Sequence, residues 1–245
     1  MKNLIITLLM ATSFQAFAAG GSIKLEHANV DLTDKASLQR GAKYFVNYCL
    51  SCHSAKHLRY SRMAKDLAMD TELVENNLIF TESKFLDGMT IAMKAEDSQK
   101  WFGVAPPDLS LIARSRGSDW LYTYLKGFYL DTSRPFGVNN IAFPDVGMPH
   151  VLADLQGLTE AVYVEEEKSD GTVREVIDHI KVVKPGKLTE EEYDQAMHDL
   201  VNFITYLSEP VQLERQQLGK KVILFLLLML IIFYFLKKEY WKDIH

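Results

Sequence analysis

The sequence contains only two cysteines in 245 residues, Cys49 and Cys52. Any disulfide must use that pair, so no bridge can tie distant parts of the chain together. A zinc site built on two cysteine pairs is excluded for the same reason. No internal repeat or low-complexity segment is present. Charge is missing altogether from Val222 to Leu236, VILFLLLMLIIFYFL. Soluble helices rarely lack every polar residue over four turns, so a buried soluble helix is disfavoured there. Proline is sparse, and Pro135, Pro144 and Pro149 gather with Gly137 and Gly147 in one stretch, Leu130 to Val151. Long irregular loops of that kind are often functional.

What remains is ordinary for a folded chain: 48% hydrophobic and 24% charged residues. At the N-terminus, Lys2, the apolar run Leu4 to Met10 and the small-x-small site Ala16-Phe17-Ala18 form a secretory signal peptide over residues 1–18, with a mature start at Ala19. The charge-free segment near the C-terminus, extended to 218–237, reads as a transmembrane anchor flanked by Lys220, Lys221, Lys237 and Lys238. Tyr234, Tyr240 and Trp241 suit the far interface. Lysines stand on both sides of the span, so the positive-inside rule gives no orientation. The signal peptide places 19–217 outside the cytoplasmic membrane and leaves 238–245 as a cytoplasmic tail.

Setting aside Lys2 and the five lysines of 218–245 leaves 21 basic residues in the exported domain. Setting aside Glu239 and Asp243 leaves 30 acidic ones, for a net charge near −9. Such a domain disfavours nucleic acid and anionic lipid and favours a basic protein partner, although solubility alone accounts for the charge equally well.

Hydrophobic spacing predicts a helix over Lys35 to Tyr48, with Gly41 inside it marking the close approach of another backbone. Further helices are expected over Thr71 to Phe80, Leu109 to Ser115 and Asp119 to Phe128, with Asp108 and Ser118 placed as caps. Ala161 to Glu167 and Val173 to Val183 read as strands of a hairpin around Ser169-Asp170-Gly171. Thr189 and Glu192 form a capping box for a helix that Pro210 ends, and Val211 to Gln217 links it to the anchor.

The two cysteines belong to Cys49-Leu50-Ser51-Cys52-His53, the C-x-x-C-H pattern of covalent haem attachment. Two thiols three residues apart on a turn can each add to a vinyl group, and the adjacent His53 then reaches the iron. A thiol redox pair does not require that histidine. A sixth ligand must come from elsewhere, and a methionine suits electron transfer by raising the potential. The candidates are Met63, Met69, Met89, Met93, Met148, Met197 and Met229. Met148, held between Gly147 and Pro149 in the irregular stretch, is the best placed, and His150 is its rival.

The signal peptide, the single haem motif, Ala105-Pro106-Pro107-Asp108-Leu109-Ser110 followed by Leu111-Ile112-Ala113-Arg114-Ser115-Arg116, the Gly147-Met148-Pro149 segment and the one C-terminal anchor together resemble the cytochrome c1 family, the haem subunit of the cytochrome bc1 complex. The resemblance covers nearly the whole chain from Ala19 to Trp241. It implies a mainly α, class I c-type cytochrome fold with irregular loops and a small β-hairpin, plus one C-terminal transmembrane helix. It also implies one covalent haem c on Cys49 and Cys52, with His53 and Met148 as iron ligands, Pro107 packed near the haem and Arg116 on a propionate, Arg114 being the alternative. Trp120 stands where the family often has a tyrosine. The distal segment continues Pro149-His150 where the family has Gly-Met-Ala-Pro-Pro.

The function so implied is a one-electron carrier, non-catalytic alone, within a dimeric quinol–cytochrome c reductase of a bacterial inner membrane. It takes electrons from the Rieske iron–sulfur protein, sits beside cytochrome b, and passes electrons to a soluble or membrane-bound cytochrome c on the periplasmic side. The acidic runs Glu165 to Glu167 and Glu190 to Glu192 can steer a basic partner or serve only as solvated faces. Two other classes fit the motif: an anchored cytochrome c serving an oxidase or dehydrogenase directly, and a haem enzyme or gas sensor with an open distal site.

Overall fold

The computed structural model describes residues 23–80, 82–167 and 172–244. The signal-peptide segment, its cleavage site and the hairpin turn at Ser169 to Gly171 lie outside the described residues. From the N-terminal side the elements are α1 (Lys35–Tyr44), continued by a π-helical turn (Phe45–Cys49), then β1 (Ala55–Arg59), α2 (Tyr60–Leu67), α3 (Thr71–Leu78), β2 (Gly88–Met89), α4 (Ala95–Phe102), α5 (Ile112–Arg116) and α6 (Ser118–Lys126). Then come β3 (Phe128–Leu130), β4 (Val138–Asn140), α7 (Ala153–Gln156), β5 (Gly157–Glu167), β6 (Val173–Pro185), α8 (Glu190–Ser208) and α9 (Gln212–Tyr240). The chain is mainly helical among these residues, with three two-stranded antiparallel sheets, β1–β2, β3–β4 and β5–β6.

The core forms where α1 crosses α8. Leu38, Ala42 and Phe45 share one buried cluster with Leu200, Phe203 and Leu207, and the Phe45 and Phe203 rings lie 5.5 Å apart. Each such side chain contributes roughly 1.5–3 kcal/mol by leaving water. Gly41 lets the backbones meet: a Cβ there would sit 2.0 Å from the Asp199 carbonyl oxygen. Buried Asp199 accepts from Ser37 Oγ (2.7 Å) and from Arg40 Nε and Nη2 (2.6 and 2.8 Å). Asn202 donates to Ser37 Oγ and accepts from the Asp31 amide. Thr189 and Glu192 form the expected capping box of α8.

Four expectations change. Asp108 does not cap α5, whose N-cap is Leu111; its carboxylate is used elsewhere, as described below. Ser118 does not cap α6, because its hydroxyl pairs with Thr205 on α8 at 2.9 Å. Val211 to Gln217, read as a link to the anchor, is itself helical from Gln212, within α9, which runs unbroken for 29 residues. The stretch after Leu130 contains a short hairpin, β3–β4, and the β5–β6 hairpin is a long arm, exposed over most of its length. α9 is the one helix among the described residues long and apolar enough to cross a membrane, and none of its residues is buried.

Candidate haem site

The π-helical turn ends at Cys49, and the chain then folds sharply. The amides of Cys52 and His53 both donate to the Cys49 carbonyl, at 3.0 and 2.8 Å. That turn gathers two thiols and an imidazole on one short loop. Burial pushes the Cys49 thiol up to about 12, so Cys49 lacks the ready thiolate that disulfide exchange needs. His53 Nδ1 donates to the Pro107 carbonyl at 2.8 Å. This fixes the tautomer and leaves Nε2 with its lone pair outward, as an iron-ligating histidine requires. Burial favours the neutral imidazole and pulls it below its ordinary pKa, although the Pro107 bond works the other way.

The Pro-Pro-Asp-Leu-Ser segment is a clamp on this loop, residue by residue. Pro107 holds His53 through its carbonyl, although its own ring is exposed. The Asp108 carboxylate accepts from the Lys56 amide (3.2 Å) and the Ser110 amide (2.9 Å). Burial works against that charge, but these donors outweigh it and hold the carboxyl below the usual range. The Leu109 amide donates to the Ser54 carbonyl at 2.7 Å, and Ser110 Oγ accepts from the His57 amide at 3.1 Å.

Met148 arrives from the opposite end of the same segment. A Cβ at Gly147 would lie 2.9 Å from Val104 Cγ1, three residues before Pro107. The loop that carries it is fastened internally. Arg134 donates to the Asp145 carboxylate and carbonyl, both at 2.8 Å, and Asn139 Oδ1 accepts from the amides of Asn140 and Asp145. Of the rival methionines, Met63, Met89 and Met197 are fully buried in the core. Met93 lines a cavity of about 310 Å³ beside Ser54, Pro106 and Asp108. His150 is no surface residue: its ring stacks on Phe128 at 4.7 Å and 6°, and burial lowers its pKa to about 4.

The two arginines have different occupations. Arg114 pairs with Glu209 at 3.2 Å. Arg116 makes no ion pair among the described residues and lies over the rings of Trp120 (5.1 Å) and Phe143 (5.8 Å). The donor set therefore suits a haem: two thiols, a neutral imidazole with Nε2 outward, a thioether and an unpaired guanidinium. Half-buried Leu109, Ile112, Trp120, Tyr124 and Val151 add apolar walls from the same segments.

The family model described as "Cytochrome C1 family" matches residues 26–244. The chain belongs to the cytochrome c1 family. It is 52% identical over 246 residues to "Cytochrome c1" of Allochromatium vinosum, covering 100% of both chains. It is 47% identical over 245 residues to "Ammonia monooxygenase gamma subunit" of Nitrosomonas europaea, covering 100% of this chain and 99% of that one. It is 26% identical over 233 residues to "Cytochrome c1" of Rhodospirillum rubrum, covering 86% and 83%. Membership makes the chain a haem c protein of respiratory electron transport, the haem subunit of a bc1 complex. Its C-terminal apolar helix fits membrane anchoring.

One part of the site escapes a motif search. Arg116, Trp120, Tyr124 and Phe128 are spaced by four and stack in order from the end of α5 through α6 to the start of β3. Trp120 lies on Tyr124 at 5.0 Å and 15°, and Tyr124 meets Phe128 edge-on at 5.3 Å. The four-residue spacing was the available signal, since it puts side chains on one helix face.

Proposed function

We propose that Cys49 and Cys52 carry the haem by thioether bonds, that His53 and Met148 are its axial ligands, and that Arg116 rather than Arg114 meets a propionate. The observation that carries this is the His53 Nδ1 to Pro107 bond beside two thiols. Haem supplies a one-electron Fe(III)/Fe(II) couple when bound. Pro107 keeps His53 in the right tautomer and orientation, and the fastened 131–148 loop keeps Met148 in reach. Arg116, free of carboxylate partners among the described residues, offers a planar donor fork to a carboxylate.

The exported part, 19–217, is read as a class I c-type cytochrome domain on the periplasmic face of a bacterial inner membrane, behind a cleaved 1–18 signal. Residues 218–237 span the bilayer, and 238–245 lie inside. Electrons come from the Rieske protein and leave to a cytochrome c, within a dimeric complex. Gentle detergent extraction tests this: the haem should stay on the chain after denaturation, and cytochrome b and the Rieske protein should accompany it. Haem released by acidic organic solvent would overturn the covalent assignment. Co-purification with monooxygenase subunits instead would favour the role named for the Nitrosomonas relative.

A further inference from the structure

Tyr124 is half-buried, and its ring is fixed on two sides, by Trp120 in parallel and Phe128 edge-on. Its backbone is held too, because Asn140 Nδ2 donates to the Tyr124 carbonyl at 2.7 Å. The hydroxyl therefore points from a rigid base, and it donates to Met148 Sδ at 3.3 Å. No other acceptor meets that hydroxyl among the described residues.

We propose that Tyr124 is a positioning residue for the sixth ligand, its phenol O–H fixing the Met148 thioether and setting the iron potential. The proposal rests on Met148 being the iron ligand. A methionine side chain has three rotatable bonds, so a thioether needs an external restraint to present one lone pair reproducibly. Sulfur has two lone pairs, and the phenol takes the one that iron does not. A hydrogen bond to sulfur draws electron density from it and weakens its donation. Ferric iron depends on that donation more than ferrous iron, so the bond favours the reduced state. Partners one step removed from a metal tune it in this way. No feature of the haem motif or the Pro-Pro-Asp segment calls for a tyrosine here.

The test uses the full-length haem-loaded protein in detergent. Tyr124→Phe removes one oxygen and keeps the ring contacts. The sulfur-to-iron absorbance band at the red edge should persist. The Fe(II)/Fe(III) ratio at a fixed poise should fall by up to about fivefold, the bound set by the whole of one neutral hydrogen bond, where tenfold equals about 59 mV for a one-electron couple. A ring-fluorinated tyrosine at 124, a stronger donor in the same place, should move the ratio the opposite way, and it decides the matter if the phenylalanine variant does not fold. An unchanged potential in both proteins, or a rise in Tyr124→Phe, overturns the proposal. Met148→Leu, measured in parallel, separates the two readings. If it keeps the red band, the ligand assignment fails and this inference with it. If it loses the band while the Tyr124 variants stay at the parental potential, only the role of Tyr124 is lost.

Discussion

An imidazole has two nitrogens, and the one that His53 gives to Pro107 decides what the other can do. The same reasoning separates Met148 from His150. Met148 directs its sulfur to the Tyr124 hydroxyl, whereas His150 lies flat on Phe128. Met148→Leu should abolish the red-edge sulfur band, and His150→Ala should keep it; the reverse pattern in absorbance spectra would make His150 the ligand. Arg116→Ala should lower the midpoint potential by about 1 kcal/mol equivalent, the discounted value of an exposed charge-assisted hydrogen bond. Arg114→Ala should leave it unchanged, because Arg114 serves Glu209. Redox titration of both variants checks the pair. The N-terminal lead-in carries a pH prediction. Asp119 accepts from the Ala28 amide and from His27, both at 2.9 Å, and these donors hold its carboxyl below the ordinary 3.8 despite burial. A depressed carboxylate contributes stability that is complete above its unfolded pKa and disappears as the pH falls through the folded one. Protection of the Ala28 amide, taken relative to its intrinsic exchange rate, should therefore fall below about pH 4, and Asp119→Asn should remove that fall.

At the scale of elements, the crossing of α1 and α8 is the part least tolerant of change. Ala at position 41 gains about 1 kcal/mol of helix propensity, but its Cβ would meet the Asp199 carbonyl at 2.0 Å. Separating two packed backbones costs more than that gain, so Gly41→Ala should destabilise the protein by about 2–3 kcal/mol, measured as a fall in denaturant midpoint. Gly41 was legible because a mid-helix glycine needs a reason, and the capping box was legible because both partners lie within one turn. The haem loop was legible as a motif for the same cause: its chemistry is local. The sheets β1–β2 and β3–β4 were not, since strands of two to five residues show no period and depend on partners far along the chain. Asp108 misled for a related reason. Its nearest possible partners were in α5, but besides the Ser110 amide its carboxylate takes the Lys56 amide, 52 residues away and a neighbour only after folding. The α6 stripe was present in the spacing of Arg116, Trp120, Tyr124 and Phe128, yet aromatic residues at helical spacing usually mean core, and only the Met148 contact gives these a second meaning.

The molecule as a whole is two parts with little in common. The domain is acidic and self-contained, whereas α9 buries none of its residues against it. At about 1.5 Å per residue its 29 residues make a rod near 43 Å, longer than the ~30 Å hydrocarbon core. The surplus lies partly at the near end, where Glu214, Arg215, Gln216 and Gln217 form a polar stub outside the span. Glu209 holds both Arg114 and Arg215 there, and among the described residues the ion-paired residue furthest along the helix on this side is Arg215. A chain stopped after Gln217 keeps that whole cluster and loses only the apolar rod. It should be exported and remain monodisperse without detergent in gel filtration, with an unchanged red-edge band. It should no longer accompany cytochrome b. Its electron transfer to a basic acceptor should slow as salt is raised, since attraction at the surface is screened within about 10 Å at 0.1 M. A truncated protein that aggregates, or whose thioether band fades, would show that α9 supports the haem domain as well as tethering it.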